Sequence, residues 1–118
     1  MKFAVTSQDY VTITGHAGKT TRFLVFEAEP GAEPAEIARL DLSDEQTVHN
    51  FKGGEHPLDG VQILIAGSAG QCFVDRMRER GIVTVAAPGL EPRMAVAAYL
   101  AGLLHPLSEG EACSCHGE

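Results

Sequence analysis

The chain has 118 residues, 44% of them hydrophobic, and sixteen Asp and Glu against nine Lys and Arg, a formal net charge of −7. That length suits one domain with a single core, and no apolar run approaches the ~20 residues of a membrane-spanning helix. The acidic balance excludes a general nucleic-acid binder, which needs clustered Lys and Arg to displace counterions. In chain order, KFAVT (2–6) and YVTIT (10–14) read as short strands joined by the tight link SQD. RFLVFEAE (22–29) is a further strand, EPGAEP (30–35) a turn, and EIARLDL (36–42) extended again. Ser43 with Gln46 forms a capping-box pattern that predicts a short helix over 44–51, before the loop KGGEHPLDG (52–60). VQILIA (61–66) is an apolar run suited to a strand buried on both faces, and GSAG (67–70) breaks it. A helix follows over 71–80, with Phe73 and Met77 four apart on one side and Gly81 at the C-terminal glycine position. Arg76, Arg78 and Arg80 are its solvated part. IVTVAA (82–87) is the next strand. PGLEP (88–92) opens a last helix over about 92–104, with Met94, Ala97, Ala98, Ala101 and Leu104 on its apolar side and Pro106 beyond its end. Strands in hairpin order followed by strand–helix–strand–helix predict one mixed sheet with helices on both faces.

The stretch ITGHAGKTTRF (13–23) imitates a phosphate-binding loop. The nucleotide motif needs a glycine five residues before the Gly-Lys-Thr triplet. Ile13 stands there, and Gly15 is two residues late. A phosphate loop also hands over to a helix N-terminus, whereas RFLVFEAE favours a strand. What remains is His16 in a loop between strands, where an exposed polar residue is the plain alternative to a ligand.

Three cysteines, an odd number, with only a short apolar N-terminus (MKFAVT) argue against a disulfide framework and a signal peptide. The expectation is a cytoplasmic protein. Cys72 falls in the first turn of the 71–80 helix, a setting that lowers a thiol pKa, though small buried cysteines are common. Cys113, Cys115 and His116 place two thiols and an imidazole within four residues of a polar tail. Those ligand types suit soft metals such as Cu(I), zinc or iron–sulfur species. A structural zinc site needs four ligands, usually with C-x2-C spacing, so this tail alone is not a zinc finger. It can share a metal with His16, His49, His56 or a second chain, or be a frayed end with incidental cysteines. His49 and His56 flank the 52–60 loop as solvated histidines, and His105 ends the last helix.

MKFAVTS, GHAGKTTRFLVFEAE and DGVQILIAGSAGQCFVDRMRERGIVTV, in that order and spacing, resemble segments of the dinitrogenase iron–molybdenum cofactor biosynthesis family, with its NifX-like and NifB C-terminal-like domains. The resemblance covers about residues 1–104 and implies a single α/β domain of ribonuclease-H-like fold, a mixed five-stranded sheet flanked by helices. It divides the chain into a cluster-binding domain, 1–105, and a mobile tail, 106–118. It implies a carrier or chaperone, not an enzyme, for an anionic molybdenum- or iron-containing metal–sulfur cluster, of Mo/Fe or Mo/Cu type and loosely held. Its partners would be donor or acceptor proteins of cofactor assembly, with no nucleic acid and no membrane. His16 matches the histidine of the family's H-F-G segment, with Ala17 in place of Phe. Gly18 and Arg22 match its glycine and frequent basic position, and GSAG its glycine-rich turn.

Capturing a polyanion with an acidic chain demands a locally donor-rich site. The residues that offer one are His16, Gly18, Lys19 and Arg22 from one loop and Gly67, Ser68, Gly70 and Cys72 from the other. Glycines admit a ligand to the backbone, a helix N-terminus presents free N–H groups, and the carboxyl end of a buried strand is a favoured ligand position. Direct metal ligands would be His16, Cys113, Cys115 and His116. The alternatives are a thiol-based redox or metal sensor using Cys72 and the tail, and a metal-dependent nuclease. The latter needs gathered carboxylates, and beyond Asp9 the core strands supply no convincing set.

Overall fold

The computed structural model describes residues 1–15, 20–31, 33–43, 58, 60–69, 71–87 and 89–104, leaving aside the side chains of Gln71 and Cys72. Five strands form one mixed sheet: β1 (Lys2–Thr6), β2 (Arg22–Glu27), β3 (Ala35–Asp41), β4 (Ile63–Ala66) and β5 (Val83–Ala86). Their spatial order is β3-β2-β1-β4-β5. β2 is antiparallel to both neighbours, while β1, β4 and β5 are parallel. Helix α1 (Gln71–Glu79) connects β4 to β5, and α2 (Pro92–Leu100) follows β5.

Side-chain alternation sends each strand into two cores. Ala4, Phe23, Val25, Leu64 and Ala66 pack on the α1 side with Phe73, Val74, Met77 and Ile82. Phe3, Val5, Leu24, Phe26, Ile63, Ile65 and Val85 pack on the α2 side with Ala95 and Val96. β4 is buried along its whole length because a helix covers each face. β3, by contrast, is an exposed edge strand. Its register against β2 shifts between Val25 and Phe26, and Glu36, Arg39 and Asp41 charge it. Both features discourage a further strand from pairing there.

α1 ends where its sequence predicts. Gly81 takes φ +76°, its N–H donates to Arg78 O, and Ile82 N–H donates to Met77 O at 2.8 Å. This is the paired bonding of a Schellman cap. α2 ends earlier than the expected 104, at Leu100. Gly102 takes φ +80°, and Gly102 and Leu103 N–H donate back to Tyr99 O and Ala98 O in the same cap. Pro106 is therefore not the terminator; the glycine four residues earlier is. The face is corrected too. Pro92, Ala95 and Val96 are the buried residues, whereas Met94, Ala97 and Ala101 are exposed.

The strand expected over 10–14 does not form. Asp9 Oδ1 accepts N–H donors from Val11 (2.9 Å) and Thr12 (2.8 Å), and its Oδ2 accepts the Thr12 hydroxyl. Tyr10 turns to φ +60°. This Asx-type turn competes with ladder bonding, and β2 takes the place beside β1. The predicted helix over 44–51, most of the 52–60 loop and the tail from 105 lie outside the described residues.

Candidate functional site

The strand directions gather the loops at one edge of the sheet. β1, β3, β4 and β5 end there and β2 begins there. After β1 the chain leaves toward β2; after β4 it leaves through α1 toward β5. The gap between the ends of β1 and β4 is thus a switch point, the crevice position favoured by ligands in open α/β sheets. Two helix N-termini, of α1 and α2, lie at this edge on opposite faces of the sheet. No acidic side chain occupies the first turn of α1, and α2 has no side-chain cap hydrogen bond. Both ends therefore present partial positive charge.

Backbone bonds stitch the two switch-point loops together. Thr14 N–H donates to Thr6 O at 3.0 Å, and Gly67 N–H donates to Thr14 O at 2.9 Å. The Thr6 hydroxyl also donates to Thr14 O, at 2.6 Å. The approach is close. A Cβ on Gly67 would stand 3.1 Å from Thr14 O, and one on Gly15 would stand 2.8 Å from Ser68 Oγ. Glycine at both positions lets the loops touch. Gly15 and Thr20 are themselves joined, the Thr20 hydroxyl donating to Gly15 O at 3.3 Å. Gly15 and Thr20 are thus both held at this edge.

The outer side of the loop is fixed by Gln8 and Asp9. Gln8 Oε1 accepts Thr21 N–H at 2.8 Å and Arg22 N–H at 2.9 Å. Backbone donors from Thr12 and Val11, then the Thr12 hydroxyl, hold the Asp9 carboxyl down at about 2, with Ser7 adding a smaller contribution and desolvation opposing weakly. Arg22 donates from Nη1 to Gln8 O at 3.1 Å, approaches Asp41 at 3.8 Å, and lies over the Tyr10 ring at 5.6 Å. Arg39 lies over the same ring at 5.0 Å.

Of the residues singled out in the sequence, Arg22, Gly67 and Ser68 are found at this edge, and Cys72 is the second residue of α1, whose N-terminus faces it. His16, Gly18, Lys19, Gly70, Cys113, Cys115 and His116 lie outside the described residues, as do His49, His56 and His105. Among the described residues, no three His, Cys, Asp or Glu side chains come together as a set able to hold a metal. Sequence reasoning missed Thr14. Its Oγ1 is buried without a hydrogen-bond partner, and its carbonyl receives the Gly67 N–H. Thr84 Oγ1, within β5, is likewise buried and unpartnered; nothing in the structure explains it. Reading 10–14 as a strand made Thr14 one of its ladder residues. The signal that could have found the turn is Asp9 followed by two residues it can cap. An open cavity of about 580 Å³, lined by Met1, Lys2, Glu27, Glu29, Gly60 and Gln62, lies at the opposite edge, away from all these residues.

The sequence model of the dinitrogenase iron-molybdenum cofactor family matches residues 1–102. No curated protein matches the chain. Among solved structures, the apo form of the orange protein from Desulfovibrio gigas is similar at TM-score 0.63 and 20% identity, over 91% of this chain and 92% of that one. A candidate NifB protein from Thermotoga, described as belonging to the DUF35 family, gives TM-score 0.59 and 18% identity over 92% and 98%. A candidate dinitrogenase from Methanocaldococcus jannaschii gives 0.58 and 14% over 92% and 95%. At these identities the likeness is one of fold.

Proposed function

The chain belongs to the dinitrogenase iron-molybdenum cofactor family, and from that premise we propose that it is a non-enzymatic carrier of an anionic metal–sulfur cluster containing molybdenum, iron or both. The observation that carries the reading is the Thr14–Gly67 stitch at the switch point. It sets the histidine loop against the glycine turn that leads into α1. The cluster is cargo, held from outside by donors. The α1 N-terminus adds partial positive charge. His16 follows Gly15 in the chain, and an imidazole can ligate iron or copper.

Within this reading the binding set is His16, Gly18, Lys19, Gly67, Ser68, Gly70 and Cys72. Arg22 is assigned a double part: it braces the loop through Gln8 and Tyr10 and supplies positive potential from its remaining N–H groups. Cys113, Cys115 and His116 act as further soft ligands or a delivery arm in the segment 106–118, separate from the domain 1–105. Donor and acceptor proteins of cofactor assembly are the expected partners. Soft ligands of the kind offered by His16, Cys113, Cys115 and His116 suit cargo of Mo/Cu type as well as Mo/Fe. We also class the sheet as ribonuclease-H-like, on the support of its β3-β2-β1-β4-β5 order with β2 reversed.

The test is anaerobic reconstitution of the reduced protein with tetrathiomolybdate plus Cu(I), and separately with an iron–sulfur source. Visible absorption and metal content are read after desalting for the wild type, His16→Ala and a chain ending at Glu111. Colour retained by the wild type and lost in His16→Ala supports the loop site. Loss on truncation alone moves the site to the tail. Retention by no protein rejects the carrier reading.

A further inference from the structure

Residues 7–10 hold Arg22 from its main chain out to its guanidinium. Ser7 N–H donates to Arg22 O at 3.0 Å. Gln8 Oε1 accepts Arg22 N–H at 2.9 Å, together with Thr21 N–H at 2.8 Å and the Thr21 hydroxyl at 3.2 Å. Gln8 O then accepts Arg22 Nη1 at 3.1 Å. One residue thus grips Arg22 twice, by its side chain at the backbone and by its backbone at the side chain. The guanidinium also lies over the Tyr10 ring at 5.6 Å, and the Tyr10 hydroxyl anchors that ring by donating to Leu40 O at 3.3 Å. Tyr10 takes φ +60° there, an uncommon conformation for a bulky residue. The pairing of β2 with β1 needs the Ser7 bond but none of the contacts to the guanidinium, whose side chain is 45% exposed.

We propose that Gln8 is a positioning residue for the cargo: it presets Arg22 so that the guanidinium meets the anion already ordered. The inference rests on the carrier reading above. A long side chain immobilised at the moment of binding costs affinity, and one ordered beforehand does not. Asp41 supplies a second reason. Its Oδ1 stands 3.8 Å from Arg22 Nε, beyond hydrogen-bond range. A loose guanidinium would close on that carboxylate and be neutralised there. Arg39 shows the outcome: over the same ring, it closes on Glu36 at 2.8 Å within its own strand. Gln8 O holds Arg22 short of the equivalent pair, and the remaining N–H donors of the guanidinium serve the cargo.

Two readouts on the full-length, reduced protein test this. The first is nitrogen-15 NMR of the apo-protein, with the Arg22 Nε–H resonance assigned by its absence from Arg22→Lys. Its heteronuclear NOE should approach backbone values and exceed that of Arg93, which is exposed on α2. Gln8→Ala should lower it, and Gln8→Glu, which keeps an acceptor at the same reach, should restore it. The second is anaerobic titration with tetrathiomolybdate plus Cu(I). Gln8→Ala should weaken binding roughly threefold to tenfold, and in an Arg22→Ala background the same substitution should weaken it no further. A merely structural role would weaken it equally in both backgrounds, and that result overturns the proposal. So does an Arg22 signal as mobile as that of Arg93, one unmoved by Gln8→Ala, or one that Gln8→Glu does not restore. A wild type that binds neither metal removes the cargo role of Gln8 as well. The NMR readout needs no cargo, so an ordered Arg22 in that case assigns the failure to the carrier reading, and a mobile one assigns it to Gln8.

Discussion

Asp9 organises the turn beside the candidate edge. Its carboxylate accepts two backbone N–H groups and a hydroxyl, and its pKa is lowered from 3.8 to about 2. Because the folded pKa lies below the ordinary one, the ionised form is the one the loop favours. Its contribution is fully present above about pH 4 and is lost as pH falls through about 2. The Val11 and Thr12 amide resonances should titrate with that low midpoint in an NMR pH series, and Asp9→Ala should remove the titration and loosen residues 8–14. At Gly67 the constraint is steric. Alanine there would put Cβ 3.1 Å from Thr14 O, against the Thr14–Gly15 backbone. Overpacking of this kind costs about 1–3 kcal/mol. Gly67→Ala should lower the thermal midpoint modestly and cut cargo retention more than a core substitution of equal cost.

At the scale of elements, α1 and its cap give the sharpest stability expectations. Met77 is fully buried and is also the carbonyl that receives Ile82. Met77→Ala should cost about 2–5 kcal/mol in chemical denaturation. Gly81→Ala meets no atom within 4 Å, so its cost is the left-handed backbone alone, about 1–2 kcal/mol, with Gly81→Asn milder. These features were legible in the sequence because Phe73, Met77 and Gly81 report local geometry directly. So were the strands at 2–6, 22–27, 35–41, 63–66 and 83–86, close to the expected spans. The turn at Asp9 was not, since alternating polarity in YVTIT imitates a strand and the competing carboxylate bonds are short-range. The face of α2 was misread for a different reason. Its residues are apolar all round, so periodicity picks no side, and the sheet selects Ala95 and Val96. Of the candidate site, the position of Arg22, Gly67 and Ser68 at one edge was legible. The Thr14 carbonyl and its meeting with Gly67 were not, because they arise from two segments more than fifty residues apart.

For the molecule as a whole, residues 3–104 supply a packed core on each face of the sheet. A chain ending at Leu104 should therefore unfold cooperatively at an unchanged midpoint by calorimetry, whatever it loses in metal binding. The stitch between Thr14 and Gly67 has a consequence for the moment of synthesis. One half of this edge is made early, from the first strand and the residues after it; the other half is made only after β4. A growing polypeptide on the ribosome has Thr14 long before it has Gly67. Until the later segment has emerged and paired with β1, the Thr14 carbonyl has no Gly67 amide to receive and the crevice has one wall. On the carrier reading proposed above, loading is thereby reserved for the finished product.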